Sequence, residues 1–513
     1  TLGGSGSDYF FDTAVTTDSG YVFVGQTDSF YTGERGTAIK TDSRGKIVWQ
    51  KAFGGEGISQ LHAVAATSDG GAVLVGYSDT VGTGLSMLSS VAKGTFRYYE
   101  GEIRYYFDLS LPSYYAPSPD GSEPETQGNT MWNNNGGEDA VVVKLDSDGK
   151  VKWSKNFGGI GNERFQDVAI APDGSIYLTG YSDGESLGLG ERNWKNHGQR
   201  DAIAVKLSAD GTVEWAKSFG ESGDDVFESV AVSPSGIVFA GYSDGAENAG
   251  KFDIMVSKTD VSGEIIWSKT FGSADDDRAY SVAPLNDGGY VVAGFARGDS
   301  IGIAGGWHIL GSNDDALAVK LDKDGDFVWI KTYGSSRSDK FFSVAEKLDG
   351  GLIFAGMSSG ANGALWGNGG GGVSDALAVE TDASGALVWA QNFGGAYAER
   401  FESVAVTRYG YIFAGYTMGE SPLWGHIGTN GTSADALILS INFSPREPDP
   451  DQSEEPNQPD SPDQPNAPTF VPKLKNGTVT LAVMVAVVSG LVLISFFVFW
   501  SVADKKDKED KEE

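Results

Sequence analysis

The chain has 513 residues, of which 70 are acidic and 38 are basic, so its formal net charge at pH 7 is -32. A surface this acidic repels phosphate backbones, and the sequence has no basic stripe to offset that repulsion, so nucleic acid is excluded as an expected partner. Cysteine is absent, which excludes disulfides, thiolate chemistry and cysteine-ligated metal or iron–sulfur sites.

An internal repeat dominates residues 1–443. One unit, Phe165–Gly220, reads FQDVAIAPDGSIYLTGYSDG, a variable stretch, and DAIAVKLSADGTVEWAKSFG. Each unit contains four short runs rich in Val, Ile, Tyr and Phe, separated by turn residues, which is the pattern of four β-strands. The third run begins with Arg35 in the first unit and with an aspartate in each of the other six, at Asp139, Asp201, Asp253, Asp315, Asp375 and Asp435. Seven four-stranded units of roughly 50 to 60 residues predict an all-β, seven-bladed β-propeller.

The fourth run and the two chain ends indicate how the blades pack and how the ring closes. A tryptophan recurs in the fourth run of the first six units, where we interpret it as a packing residue of the outer strand: Trp49, Trp153, Trp215, Trp267, Trp329 and Trp389. The seventh unit stops after three runs, at Asn442, while TLGG at the start of the chain matches the end of a fourth run such as KSFG. We therefore expect the two ends to share the last blade, with Thr1 and Leu2 as the part of that strand in the sequence.

The repeat units also resemble a known group. Units such as GGYVVAGYS, DALAVKLDKDG and VWIKTYG are similar to the bacterial-type β-propeller repeat family of secreted and surface proteins. The resemblance spans about Thr1–Phe443. It implies a propeller that serves as an extracellular binding or adhesion module, and it implies no shared catalytic residues, because a fold does not by itself imply a function.

The alternation of strands assigns the loops to two faces. The turns between strands one and two and between strands three and four are short and contain Asp-Gly, and they share one face. All long insertions lie on the opposite face, called here the long-loop face, where binding is expected. Four of these loops contain a tryptophan that either contacts a ligand or anchors its own glycine-rich loop: Trp194, Trp307, Trp366 and Trp424.

Blade two carries the largest insertion, at about residues 78–138, which contains TFRYY, the turn Glu100-Gly101, and EIRYYFDL. This pattern predicts a β-hairpin. Its aromatic and basic residues are of the types enriched in binding surfaces, and we include six of them as ligand-binding candidates: Arg97, Tyr98, Tyr99, Arg104, Tyr105 and Tyr106. The alternative is a hairpin that folds down, so that its aromatic residues cap the propeller.

An acidic residue stands at the start of the first strand in six blades, with Ser59 in its place in blade two. We expect each carboxylate to accept hydrogen bonds from backbone amides of the preceding turn, with a calcium ion at the channel mouth as the alternative. The six residues are Asp8, Glu163, Asp225, Asp277, Asp339 and Glu399.

No other cofactor is expected. The four histidines share no metal-ligand spacing. We also find no arginine cluster suited to a carboxylated sugar, no nucleophile motif and no acid–base pair, so no catalytic residue is assigned.

The C-terminal part predicts a membrane anchor. Residues 444–477 form a Pro/Asp/Glu-rich extracellular linker without the apolar residues that a core needs. Residues 478–503 carry no charge, and at about 1.5 Å per residue they exceed the roughly 30 Å hydrocarbon core, which predicts one transmembrane helix. The charged residues 504–513 then form a cytoplasmic tail.

Two further patterns concern the anchor and the surface. The small residues Ala482, Ala486 and Gly490 have the spacing of a helix-packing face, which is compatible with a homodimer or a larger assembly. Sequons at Asn430 and Asn476 permit N-glycosylation.

These features predict a single-pass plasma-membrane protein whose N-terminal domain is extracellular and whose signal peptide has been removed. The leading interpretation is a membrane-anchored cell-surface binding or adhesion protein that engages a glycan or a protein through the long-loop face, with membrane lipid contacted by one helix. The alternative is a structural subunit of a surface or membrane assembly, and the third is an extracellular polymer-acting hydrolase or lyase.

Overall fold

The computed structural model describes residues 2, 6–29, 34–54, 57–79, 95–99, 102–106, 134, 136–184, 196–245, 251–297, 313–335, 337–359, 373–419, 433–442, 484–486 and 493–495. Within these residues the regular elements are strands, and those between residues 8 and 442 form an all-β, seven-bladed propeller with one additional hairpin. The all-β fold and the number of blades predicted from the repeat are confirmed.

The strands fall into four classes by their place in the blade. The inner strands are Asp8–Val15, Ser59–Ala66, Glu163–Ile170, Asp225–Ser233, Arg278–Pro284, Asp339–Glu346 and Glu399–Thr407. The second strands are Tyr21–Thr27, Ala72–Ser78, Ile176–Ser182, Gly236–Ser243, Tyr290–Ala296, Leu352–Ser358 and Gly410–Thr417. The third strands are Arg35–Thr41, Asp139–Leu145, Asp201–Leu207, Asp253–Thr259, Asp315–Leu321, Asp375–Thr381 and Asp435–Asn442. The outer strands are Ile47–Phe53, Val151–Phe157, Val213–Phe219, Ile265–Phe271, Phe327–Tyr333 and Leu387–Phe393.

Each of the first six blades is a four-stranded antiparallel sheet in this order, and the seventh contains three of these strands. Inner strands of neighbouring blades contact one another around the central axis. The second and third strands are almost wholly buried, because both of their faces pack against neighbouring blades. Their continuous runs of apolar residues therefore supply the core, which lies between the blades.

The ring closes at blade seven as predicted. Leu2 and Ala436 exchange both backbone hydrogen bonds, with N···O distances of 2.8 and 2.9 Å, and the Leu2 side chain is buried. The amide of Asp8 also donates to the carbonyl of Ala434 at 2.7 Å. Equivalent bonds join the start of each other inner strand to the preceding blade, for example Glu163 to Glu138 at 2.7 Å. The junction between the first and last blades therefore contains the same backbone hydrogen bond as the other six junctions.

Every inner strand contains a β-bulge at the same place, which adds one unpaired residue and re-aims the side chains around it. The seven register shifts fall between Phe10 and Asp12, Leu61 and Ala63, Phe165 and Asp167, Phe227 and Ser229, Ala279 and Ser281, Phe341 and Ser343, and Phe401 and Ser403. A glycine on the second strand faces each bulge. A Cβ atom on Gly241, for instance, would lie 1.9 Å from the carbonyl oxygen of Val226, so the glycine of the repeated VGY, TGY or AGY sequence is required by a close backbone approach.

The repeated tryptophans pack at the outer rim. The indole of Trp49 lies against Gly149 in the hairpin turn of the next blade, and its Nε1 donates to the carbonyl of Ser147 at 3.1 Å. Trp215 makes the equivalent bond to the carbonyl of Val261, also at 3.1 Å. The indoles of Trp153, Trp267 and Trp329 pack in the same way against a turn glycine of the next blade. Trp389 instead donates to the carboxylate of Glu380 in its own blade.

Two segments lie outside the propeller sheets. In the blade-two insertion, Thr95–Tyr99 pairs with Glu102–Tyr106, so the predicted hairpin is confirmed. Most of the predicted transmembrane segment, 478–503, lies outside the described residues; within it, Met484–Ala486 pairs with Leu493–Ser495 as two short strands. None of the described residues belongs to a helix with the length and apolarity needed to cross a bilayer.

Candidate functional site: the channel mouth

The unpaired bulge residues line the central channel as a ring of seven side chains. In blade order they are Phe11, His62, Gln166, Glu228, Tyr280, Phe342 and Glu402. Neighbouring members touch: the rings of Phe11 and His62 are 5.7 Å apart, and those of Tyr280 and Phe342 are 5.2 Å apart. Nδ1 of His62 shares a hydrogen bond with the amide oxygen of Gln166. The bulges thus place a mixed aromatic and polar layer across the channel.

Burial perturbs the pKa of all four titratable side chains in this layer, namely His62, Glu228, Tyr280 and Glu402. Burial lowers the pKa of His62 to about 4; the hydrogen bond that the imidazole makes to the amide oxygen of Gln166 opposes this shift, and the positive charge of Arg164 adds to it. The imidazole is therefore neutral at physiological pH. Burial also raises the pKa of Glu228 to about 7, although the positive charges of Arg278 and Arg200 oppose the shift.

Cations lie one layer closer to the long-loop face. In four blades the residue two positions before the bulge residue is basic, and the period of two in a strand places it on the same side as the bulge residue. Each of these cations lies over an aromatic ring of the preceding blade, an arrangement that stabilises both partners. The distances to the ring centroids run from 3.7 to 4.4 Å for the pairs Arg164–Tyr77, Arg278–Tyr242, Lys340–Phe295 and Arg400–Phe342. These pairs, together with Arg200, Phe252 and Tyr280, are called here the channel mouth.

Carboxylates hold several of the cations in place. Arg164 forms a two-pronged pair with Glu138, in which the Nη2–Oε1 distance is 2.6 Å. Arg200 forms an equivalent pair with Asp224, with N···O distances of 2.9 and 2.7 Å. Such paired contacts fix the orientation of a guanidinium as well as its position.

A second group of ion pairs follows in blades five to seven. Asp314 forms ion pairs with Arg297 at 2.6 Å and with Lys340 at 2.9 Å. Arg400 forms an ion pair with Glu402 at 2.6 Å. With the two pairs of blades three and four, these contacts show that most of the mouth cations are already neutralised within the protein.

Arg278 differs from these cations. Its guanidinium lies 4.4 Å from the ring centroid of Tyr242 and 4.2 Å from that of Phe252. Its Nε is buried and has no hydrogen-bond partner in the described part of the chain. Nε of Arg400 also lacks a hydrogen-bond partner among the described residues, but Arg400 has Glu402 as an ion-pair partner, so Arg278 is the cation of the mouth best suited to receive a ligand anion.

The carboxylates at the starts of the inner strands serve the backbone. The Glu163 carboxylate accepts from the amide of Gly159 at 2.8 Å and from the hydroxyl of Ser182 at 2.9 Å. Amides four residues upstream make the same bond to Asp225, Asp277, Asp339 and Glu399. The expected capping role is therefore confirmed in these five blades. In blade one the Asp8 carboxylate accepts from the hydroxyl of Ser29 at 2.5 Å.

Burial perturbs these carboxylates. It raises the pKa of Glu163 to about 7, with the neighbouring charge of Asp139 contributing, and the pKa of Asp277 also to about 7. The alternative role for the set was a metal site. Within the described residues, no three His, Asp or Glu side chains are grouped so that they could hold a metal ion.

The other site residues predicted from the sequence lie outside the described positions or have backbone descriptions alone. The first group comprises Trp194, Trp307, Trp366, Trp424, Asn430, Asn476, Ala482 and Gly490. The hairpin places Arg97 opposite Arg104, Tyr98 opposite Ile103 and Tyr99 opposite Glu102. Ala486 lies in a short strand paired with Leu493.

The sequence analysis, which found no arginine cluster suited to a carboxylated sugar, did not single out the arginines of the mouth. Arg164, Arg278 and Arg400 are separated by whole repeats, so their proximity arises only when the ring closes. A signal was nevertheless present, because aligning the seven repeats places a basic residue directly after the strand-start acid at these three positions and at Lys340.

The comparisons with known proteins assign the chain to no family. No known family profile matches the chain. Over 174 residues, or 31% of this chain, it is 26% identical to the regulatory protein FlaEY of Caulobacter vibrioides, and the match covers 18% of that protein. The chain therefore spans less than a fifth of this relative's length.

Solved structures with a similar fold include two WD40 domains and one enzyme. The Pan2 WD40 domain of Neurospora crassa shows 12% identity and a TM-score of 0.40, covering 80% of this chain and 86% of that one. The WD40 propeller of Doa1 shows 12% identity and a TM-score of 0.39, covering 81% and 91%. Puromycin hydrolase shows 12% identity and a TM-score of 0.41, covering 85% and 52%. Likenesses at this level carry no conclusion about function, and the number of blades rests on the strand pairing.

Proposed function

We propose that this chain is a membrane-anchored cell-surface binding protein of the bacterial-type β-propeller repeat family, which takes a glycan or protein ligand at the long-loop face around the channel mouth. The observation that carries the proposal is the channel mouth itself. It collects arginines, a lysine and aromatic rings at one end of the channel in a protein whose net charge is -32.

The chemistry of the mouth supports binding. Aromatic rings and arginines are the residue types that dominate energetic hot spots at interfaces, because they combine a large contact area with directed hydrogen bonds. In this mouth the ion pairs and the ring stacking hold the cations before any ligand arrives, which lowers the entropy cost of binding. The loops that carry the four predicted binding tryptophans leave the blades on the same face.

The membrane anchor is proposed from the uncharged length of 478–503 and from the linker that precedes it. In hydrocarbon each backbone amide and carbonyl must be satisfied within the segment, which favours a helix over short paired strands. The linker, rich in proline and acidic residues, would keep the propeller away from the bilayer.

A binding array tests the function. The full chain, purified in detergent, is applied to immobilised glycans and surface proteins, beside a variant in which Trp194, Trp307, Trp366 and Trp424 are all changed to Ala. We expect selective binding by the parent chain and a loss of about tenfold or more in the variant, since each interface tryptophan that contacts a ligand can contribute more than 1 kcal/mol.

The matched control is Tyr409→Ala, an exposed aromatic residue in the tight turn of blade seven on the opposite face. This change should leave binding intact. Selective binding that the tryptophan variant retains in full would contradict the proposed role of these loops. Recovery of the chain in a stoichiometric membrane complex, without binding on the array, would favour a structural subunit instead.

A further inference from the structure

We propose that the ligand of the channel mouth is a glycan that bears a carboxylated sugar, and that the guanidinium of Arg278 receives its carboxylate. This inference rests on the proposed binding function and adds the chemical class of the ligand. Its starting point is the difference between Arg278 and the other cations of the mouth.

The other cations are already paired with carboxylates. Arg164, Arg200, Lys340 and Arg400 each have a carboxylate oxygen within ion-pair distance, as does Arg297 beside the mouth. In the described part of the chain Arg278 has no such ion pair, and its buried Nε lacks an acceptor. A carboxylate that arrives with a ligand would be the first ion-pair partner of Arg278 among the described residues, whereas at the other positions it would compete with a carboxylate that is already present.

The aromatic residues around Arg278 fix the position of its guanidinium, which suits the binding of a planar anion. The rings of Tyr242 and Phe252 lie against the guanidinium, at 4.4 and 4.2 Å from its central carbon. The two rings are nearly perpendicular, with an interplanar angle of 85°, so they contact the guanidinium from two different directions. A planar fork of N–H groups matches the two oxygens of a carboxylate.

The charges around Arg278 favour a single negative charge over a double one. The hydrogen bond from Arg200 lowers the pKa of the Asp224 carboxyl, and the positive charge of Arg278 lowers it further. A carboxylate therefore lies near Arg278. The positive charge of Arg278 also acts to lower the pKa of Glu228, which lies on the bulge of the adjacent blade. These carboxyl groups would repel a phosphate dianion more strongly than a carboxylate.

The aromatic rings favour a sugar as the carrier of that carboxylate. Tyr280 lies near both Arg278 and Arg400, since the positive charges of both arginines act to lower its pKa against the effect of burial, and its ring packs against Phe342 at 5.2 Å. Rings beside a cation offer an apolar face with a polar edge, on which the C–H face of a pyranose can lie. The position of Tyr280 would place the sugar ring next to the carboxylate bound at Arg278.

Calorimetric titration of the full chain in detergent tests the inference, with oligogalacturonate as the acidic probe and its methyl ester as the neutral one. We expect the parent chain to bind the acid and to show no binding of the methyl ester. Arg278→Gln should weaken binding of the acid by about 10- to 100-fold, the effect of removing a charged hydrogen-bonding partner. Arg278→Lys should restore part of the loss, because it keeps the charge without the fork.

Arg408→Gln is the matched control, since Arg408 is exposed in a tight turn on the opposite face and lies over Tyr409. It should bind the acid as the parent does. Thermal unfolding of each variant separates lost binding from lost fold. Because Arg278→Lys keeps a cation between the two rings, its partial recovery remains informative even if Arg278→Gln unfolds.

Equal binding of the acid and the methyl ester would overturn the inference. So would equal affinity of the Arg278→Gln and Arg408→Gln variants, or a preference of the parent chain for inorganic phosphate or for a peptide C-terminus. A ligand from the array that binds independently of Arg278 would overturn this inference and leave the proposed function intact, whereas no binding to any glycan or protein would overturn both.

Discussion

Replacement of Gly241 by alanine is expected to lower the free energy of unfolding of the propeller by about 3–5 kcal/mol, toward the upper end of what single substitutions cost. The added methyl would lie 1.9 Å from the carbonyl oxygen of Val226 and 2.9 Å from the Cα of Phe227, both of which are backbone atoms. A side chain could rotate away from such a clash, whereas backbone atoms move only if the bulge itself is rebuilt. Urea unfolding of the full chain, followed by tryptophan fluorescence, measures the loss.

Gly288→Ala provides the comparison that separates a clash from backbone strain. Gly288 has a φ of 87°, but no atom lies within 4 Å of the position that its Cβ would occupy. Alanine there should cost only about 1–2 kcal/mol, the ordinary cost of a left-handed conformation. If the Gly241 variant proves no less stable than the Gly288 variant, the bulge geometry described for the inner strands is wrong. The Gly241→Ala variant should also disturb the channel mouth, because Gly241 precedes Tyr242 and faces the bulge that carries Glu228.

The propeller is expected to lose stability as the pH rises from about 4 to about 8, which is the reverse of the usual behaviour of proteins in this acidic range. Burial raises the pKa of Asp12 to about 6 and the pKa values of Glu163, Asp167 and Glu228 to about 7. The folded state therefore holds protons that the unfolded state releases near pH 4. The resulting stabilisation is complete below the unfolded pKa and is lost as the pH rises through the folded pKa.

Glu163→Gln isolates one of these groups. Glutamine can still accept the amide of Gly159, and it carries no proton that must be lost at neutral pH. The variant should match the parent chain near pH 4 and exceed it at pH 8 by up to about 3 kcal/mol, because a difference of one in pKa corresponds to about 1.4 kcal/mol. Urea unfolding at half-unit pH intervals provides the two profiles.

Asp69→Asn is the control with the opposite behaviour. The hydrogen bond from Thr67, together with Lys144, lowers the pKa of Asp69 to about 2, so this carboxylate stays ionised throughout the range. Replacing Asp69 should change the free energy of unfolding by the same amount at every pH in this range, so the slope of stability against pH stays that of the parent chain. A parent profile that rises steadily from pH 5 to pH 8, or a Glu163→Gln profile parallel to that of the parent, would contradict the assignment of these buried carboxyl groups.

The features that repeat in the sequence were predictable because repetition makes a local signal unambiguous. The outer tryptophans and the carboxylates at the starts of the inner strands recur at fixed spacing, and they have the packing and capping roles that local chemistry suggests. Even the shared seventh blade followed from a count of strands, since a blade that ends at Asn442 needs a fourth strand from elsewhere, and Leu2 occupies that place.

The channel mouth was not predictable in the same way, because its residues vary where the scaffold repeats. The bulge position is Phe11 in blade one, His62 in blade two and Glu228 in blade four, so no motif marks it. The bulge also interrupts the alternation by which a strand is recognised. Arg278 meets Tyr242 only across a blade boundary. The identity of a site built from one residue per repeat therefore depends on ring closure, which a linear pattern does not display.

Hydrogen exchange of the full chain, with and without the ligand that it selects on the array, tests most directly whether the channel mouth is the binding site. We predict that ligand slows exchange at the starts of the inner strands that carry Arg164, Arg278 and Arg400, and leaves the tight turns Asp146–Gly149 and Asp322–Gly325 on the opposite face unchanged. Protection confined to those turns or to the outer strands, with the inner strands unaffected, would contradict the proposed site.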